Sequence, residues 1–185
     1  PSEIRRIIDE VTAEYPHHVF LRSTRLPNGL DDFHEPVMDK LVRFHNLSVP
    51  ALQSFPYRYP TLGSEEAIRE YMSYLATKDV KWIYVLKGDY EGYKEVAKSR
   101  NIETVEVDYE GINRSPGYWF IANPNAKYGQ IIPNEFIEEL CNRGHKVFYD
   151  LSYLGAGPQH TFNLSHPNIL VAALSFSKPY GLFYY

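Results

Sequence analysis

The chain has 185 residues, 44% of them hydrophobic and 23% charged, a balance that excludes collagen-like, low-complexity and disordered classes and suits one domain with a sizeable core. Its 19 Lys and Arg against 23 Asp and Glu give a net charge of -4, so no global positive field draws it to nucleic acid or an anionic membrane. Small-molecule chemistry is the better expectation. The lone Cys141 excludes an internal disulfide and reads as a packing residue, no apolar run reaches the ~20 residues of a membrane helix, and no signal peptide is visible. The expected location is the cytoplasm.

Both ends read as cut. Residue 1 is Pro, and Gly181-Leu182-Phe183-Tyr184-Tyr185 is an apolar aromatic run that belongs in or beside a buried strand, whereas termini usually fray in polar sequence. The expectation is a segment of a longer protein.

In chain order, residues 2–15 place Ile4, Ile7, Ile8 and Val11 at helical spacing behind Ser2, which predicts an amphipathic helix. Residues 16–62 carry six prolines and no sustained period, an irregular arm with at most short helical pieces. The domain boundary is set at residue 60, with 1–60 as helix and arm and 61–185 as the main domain. Over 64–76, Ala67, Ile68, Tyr71, Met72 and Leu75 recur at three and four residues, and Glu65 and Glu66 complement the positive end of the dipole, so a helix starts near Ser64.

Alternation then begins. Residues 81–86, 103–107, 117–122, 145–149 and 168–174 are short runs rich in Val, Ile and aromatics that predict strands. Helical patterns at 91–100 and 134–143 lie between them, the second closed by Gly144. Strand and helix taking turns predict an α/β fold, a three-layer sandwich with a mostly parallel sheet joined by right-handed crossovers. Ligands of such sheets bind beyond the carboxyl ends of the strands, so the residues just after each strand matter most.

At those ends stand Asn123 opening a turn, Asp150 with Tyr153 three residues on, and Ser175-Phe176-Ser177-Lys178. Upstream, Gly63 and Ser64 open a helix whose N–H groups can bind an anion. Each has a plain alternative: Asn123 as a turn, Asp150 as a cap, Lys178 as a solvated amine, Gly63-Ser64 as simple capping. Together they offer an anion cradle, a carboxylate, two hydrogen-bonding groups and an amine nucleophile, a set suited to a phosphorylated pyridine aldehyde. No His or Cys pair has metal-ligand spacing, so no metal site is expected.

The segment from about Thr61 to Leu182 resembles the fold type I, aspartate-aminotransferase-like pyridoxal phosphate enzymes of aminotransferase classes I and II. Asn123-Pro124-Asn125 with Gly129 is similar to the family's Asn-Pro-x-x-x-x-Gly, Asp150-Leu151-Ser152-Tyr153 to its Asp-x-x-Tyr, and Ser175 through Leu182 to its Ser-x-Ser-Lys-x-x-Gly-Leu. Gly88-Asp89-Tyr90-Glu91-Gly92-Tyr93 is similar to the segment supplying a ring that stacks on the cofactor, with Tyr90 the chosen position and a core tyrosine the alternative.

That resemblance implies pyridoxal 5'-phosphate as cofactor, held by Lys178 as a Schiff base, with Lys178 then moving the proton at the substrate's Cα. It implies Asp150 on the pyridine nitrogen, Asn123 and Tyr153 on the ring oxygen, and Gly63, Ser64, Ser175 and, more weakly, Ser177 on the phosphate. The family's phosphate arginine would fall one position beyond Tyr185, and its small domain is absent from the chain. The implied function is an aminotransferase working between an amino acid and a 2-oxo acid in a homodimer with shared active sites. Alternatives are decarboxylation, β-elimination or oxidation on the same fold, or a non-catalytic aminotransferase-like module. The run Phe55-Pro56-Tyr57-Arg58-Tyr59-Pro60 is read as either an arm toward the partner subunit or an ordinary loop.

Overall fold

The computed structural model describes Arg6, Glu10, Ala51, residues 55–59, 61–157, Thr161, 163–175 and 177–180. The helix expected over 2–15 and most of the arm therefore lie outside the described residues, although Arg6 and Glu10 are both helical and form an (i, i+4) ion pair. In the arm's aromatic run, Phe55 packs against the core while Tyr57 and Tyr59 are exposed and stack on each other at 6.2 Å.

The elements run α1 (Gly63–Thr77), β1 (Trp82–Leu86), α2 (Gly92–Ser99), β2 (Glu103–Val107), a 3-10 turn (Tyr109–Ile112), β3 (Tyr118–Ala122), α3 (Asn134–Asn142), β4 (Lys146–Leu151), β5 (Ile169–Leu174) and the single turn α4 (Ser177–Tyr180). The five strands form one sheet in the order β2-β1-β3-β4-β5, and all four pairings are parallel.

Side-chain alternation splits the core into two layers. Ile83, Val85, Phe120 and Phe148 meet Ile68, Met72 and Leu75 of α1 and Tyr93, Val96 and Ala97 of α2 on one face. Tyr84, Leu86, Trp119, Ile121, Val147 and Tyr149 meet Ile137, Leu140 and Cys141 of α3 on the other. The crossover through α2 leads to β2 on one side of β1, whereas the crossover through α3 leads from β3 to β4 in the opposite direction. The winding direction thus reverses between β1 and β3, and the strands splay apart there.

Among the described residues, the helices α1, α2 and α3 end in the same way. Asp79, Asn101 and Gly144 follow the last turns with φ of 59°, 57° and 85°, and each is part of a paired closure: Asp79 N–H to Ala76 with Val80 to Leu75, Asn101 to Lys98 with Ile102 to Ala97, Gly144 to Cys141 with His145 to Leu140. Only the glycine was legible beforehand, because Asp and Asn enter this conformation less often.

One boundary correction bears on the site. The run predicted for 145–149 becomes a strand over Lys146–Leu151, so Asp150 lies inside β4 rather than after it. Ladders on both sides continue that far, pairing Asp150 with Ala122 and with Ala173. The helix predicted from Ser64 starts one residue earlier, at Gly63.

Phe120 and Phe148 stack at 4.8 Å, with Tyr71 of α1 5.5 Å from Phe148. Phe148→Ala is expected to cost about 3–5 kcal/mol in urea unfolding, against less than about 1 kcal/mol for the exposed Tyr74→Ala. Equal losses would contradict this layering.

Candidate functional site

The β1–β3 ladder closes at Val85 and Phe120, while the β1–β2 ladder reaches Leu86 and Val107 and the β3–β4 ladder reaches Ala122 and Asp150. Past Phe120 the crevice between β1 and β3 is bounded by the segments 87–91 and 123–129. Gly88, at φ 73°, allows the second segment to fold close: a Cβ there would lie 3.0 Å from Lys127 Cδ and 3.2 Å from the Tyr128 ring.

Asp150 shares the face of Phe148 and is only 4% exposed. The Tyr93 hydroxyl donates to its Oδ2 at 2.8 Å, and the Ser152 N–H donates to Oδ1 at 2.9 Å, joined by the Ser152 hydroxyl. The capping alternative is thus realised together with an aim toward α2. Burial pushes the Asp150 carboxyl above its ordinary range, against the pull of these donors, and no cation pairs with it among the described residues. Tyr93 itself is wholly buried, and burial together with the Asp150 charge raises its phenol well above the ordinary value.

Asp89, which the sequence reading passed over, is the second buried carboxylate of the crevice. It is 6% exposed, accepts the N–H of Tyr90 on Oδ1 at 2.8 Å and the N–H of Ala122 on Oδ2 at 3.1 Å, and burial pushes it up to about 6. Asp89, from the turn after β1, and Asp150, in β4, therefore flank Ala122 on either side. The available signal was an Asp directly after a strand and a glycine, the same strand-end rule that singled out Asp150.

Tyr90 is 40% exposed, so it is no core tyrosine; Tyr93 fills that role. The Tyr90 ring meets Tyr93 edge-on at 5.4 Å and covers Gly92 so closely that a Cβ there would stand 2.3 Å from it. Burial raises its phenol, as do the charges of Glu65 and Asp150.

Asn123 is placed differently from the expectation. The strand period puts it on the α3 face with Trp119 and Ile121, where it is buried. Its amide donates to the Ile132 carbonyl at 3.2 Å and the Tyr149 hydroxyl at 2.6 Å, while its oxygen accepts the Ile132 N–H at 3.0 Å. Both amide protons are engaged, so Asn123 anchors the loop and offers no free donor to a ring oxygen.

Beyond β4 and β5, Lys178 Nζ stands 5.3 Å from the centroid of the Tyr153 ring, a cation–π contact that brings these two predicted residues together. Ser175 is buried, shares a 2.7 Å hydroxyl contact with Ser177, and accepts the Ser177 N–H at 3.3 Å. Gly63, at φ 76°, and Ser64 open α1, which packs against β5 and has no side-chain cap, so the capping alternative is not realised there. No hydrogen bond joins Gly63 or Ser64 to Ser175 or Ser177 among the described residues.

No protein-family model matches the chain, and no curated protein sequence matches it. Solved structures do. An aminotransferase from Mycobacterium tuberculosis matches with TM-score 0.62 and 16% identity over 98% of this chain and 52% of that one. L-threonine-O-3-phosphate decarboxylase from Porphyromonas gingivalis matches with TM-score 0.60 and 15% identity over 96% and 53%. Histidinol-phosphate aminotransferase from Sinorhizobium meliloti, solved in complex with pyridoxal-5'-phosphate, matches with TM-score 0.54 and 20% identity over 65% and 38%. The chain thus spans between 38% and 53% of the length of these three solved chains. At such identities the likeness concerns architecture: the chain carries the α/β fold that these aminotransferases and the decarboxylase share.

Asp89 gives a pH test of the site. With about 6 in the folded state against 3.8 for the free group, its proton is bound more tightly when folded. Its contribution to stability is therefore full below about pH 4 and is lost as pH rises through about 6. Between pH 4 and 7 the ligand-free protein should lose on the order of 2–3 kcal/mol relative to Asp89→Asn in urea unfolding. A difference that stays flat, or grows in the opposite sense, would contradict the buried placement.

Proposed function

We propose that this chain forms the cofactor-binding part of a pyridoxal phosphate-dependent aminotransferase that moves an amino group between an amino acid and a 2-oxo acid. The observation that carries the proposal is Asp150: a carboxylate buried near the carboxyl end of the interior strand β4, held by Tyr93 and Ser152, with no cationic partner among the described residues. Burying an uncompensated charge is costly, so the arrangement fits a ligand that brings its own positive charge. A protonated pyridine nitrogen is such a group, and the Tyr90 ring nearby adds a face for stacking.

Bound pyridoxal phosphate supplies an aldehyde that takes up amines and a ring that drains electron density from the carbon beside the amine. Asp150 keeps the ring nitrogen protonated, and Tyr93 and Ser152 orient its oxygens. Tyr90 stacks on the ring. Tyr153 donates its hydroxyl to the ring oxygen; Asn123 is left out of this task because its amide is already engaged. Ser175, Ser177, Gly63 and Ser64 donate to the phosphate, helped by the positive end of α1. Lys178 would be the amine that holds the cofactor aldehyde, and once the substrate amine has displaced it, its free Nζ would take the proton from the substrate's Cα and return it. A second copy of the chain is proposed to complete the active site.

Two measurements test this reading. Borohydride reduction of the protein with bound pyridoxal phosphate should leave a pyridoxyl group on Lys178 in a peptide map, and an adduct on Lys87 or Lys127, or none, would discard the assignment. Asp150→Ala should slow α-proton exchange of a bound amino acid by about a hundredfold or more, and undiminished exchange would remove Asp150 from the mechanism. Release of CO2 in place of amino transfer would move the reaction type to decarboxylation.

A further inference from the structure

We infer that Asp89 is a positioning residue: its carboxylate ties the end of β3 to the backbone of Tyr90 and so fixes the Tyr90 ring beside the Asp150–Tyr93 pair. The inference rests on the reading of Tyr90 as the ring that stacks on pyridoxal phosphate.

The need for a tie follows from the topology. Because the β1–β3 ladder ends at Val85 and Phe120, the last N–H of β3 that points toward β1, that of Ala122, has lost its strand partner. On the opposite side Asn123 N–H still reaches the Asp150 carbonyl at 2.9 Å, so β3 stays bound to β4 while it parts from β1. A buried N–H without an acceptor is costly. Asp89 Oδ2 fills the missing position at 3.1 Å.

The other oxygen, Oδ1, accepts the Tyr90 N–H at 2.8 Å, so one carboxylate grips both banks of the crevice. Its own backbone is set by the Asp89 N–H to Leu86 carbonyl bond at 3.0 Å, after Gly88 has taken the left-handed turn. Tyr90 is then held at both ends of its peptide unit, because its carbonyl accepts the Tyr93 N–H at 3.1 Å. The ring lies against Gly92 and the edge of Tyr93, whose hydroxyl is bonded to Asp150. Backbone tie, ring and carboxylate form one connected unit. The acidic groups coupled to it are Asp150, Tyr93 and Tyr109, the Lys127 side chain packs against the adjacent Gly88, and among the described residues the donors to Asp89 are the main-chain N–H groups of Tyr90, Ala122 and Ala126.

A side chain with a single acceptor cannot make both ties. In Asp89→Asn one carboxylate oxygen becomes an NH2 that faces an N–H donor, which breaks one of the two bonds. The test is a double-mutant cycle on pyridoxal phosphate affinity, measured by calorimetry, with amide hydrogen exchange of the ligand-free protein alongside it. Asp89→Asn and Tyr90→Ala should each weaken binding by about tenfold, and the double variant should bind within about twofold of Tyr90→Ala alone. Additive losses would overturn the inference, since Asp89 would then act without the ring; so would unchanged affinity in Asp89→Asn. In hydrogen exchange, Asp89→Asn should speed exchange at Tyr90 and Ala122 by about tenfold while Val85 and Phe120 keep their rates. Unchanged exchange at both amides would also overturn it. If the wild-type protein binds no pyridoxal phosphate yet these two amides respond, the functional reading falls and the tie stands. Should Asp89→Asn not fold, Asp89→Ser, which keeps a single oxygen, is read by the same criteria.

Discussion

A carboxylate removed from water without a countercharge among the described residues is the constraint around which the candidate site is arranged. Asp150 sits near the end of a central strand with Tyr93 and Ser152 as its donors, and neutral hydrogen bonds of this kind offset only part of the cost of burying a charge. A purely structural site would more cheaply hold an apolar residue, as the neighbouring positions Phe148 and Leu151 do. In the proposed reading this charge is matched by a cationic ligand. The second buried carboxylate, Asp89, deepens the same negative potential from the other side of Ala122.

The fold explains why this charge lies where it does. Crossovers on opposite faces pull β2 and β4 to opposite sides of the β1–β3 pair, so the sheet opens between these two central strands. The Tyr90 turn after β1 and the Asp150 end of β4 meet there through Tyr93, while Ser175, Ser177 and Lys178 follow β5, two strands further along the sheet. The central strands are buried almost throughout, whereas β2, an end strand among the described residues, exposes Glu103 and Glu106. The central strands carry the apolar load and leave their ends available for polar work.

Much of this was legible in the sequence. Runs such as WIYVL and YWFIA are unbroken apolar stretches because both faces of a parallel sheet are covered, and they marked the strands to within one residue at their starts. The end of β4 was misplaced because Asp150 and Leu151 stay in the ladder through backbone pairing, which composition does not encode. Asn123 illustrates a second limit: the motif located it correctly along the chain, but its facing depends on strand phase, and one residue of phase turns a ligand donor into an anchor for Ile132. Tyr93 looked like a helix-core residue and is one; that its hydroxyl also reaches Asp150, 57 positions away, is a property of packing. Asp89 was hidden because its partners are main-chain groups exposed only by the early end of a ladder.

The protonation state of a bound ring tests the role of Asp150 most directly. With 15N-labelled pyridoxal phosphate in the protein at mildly alkaline pH, the ring nitrogen resonance should report a protonated nitrogen in the wild type and an unprotonated one in Asp150→Ala. The same nitrogen state in both proteins, or a ring that never enters the crevice, would contradict it.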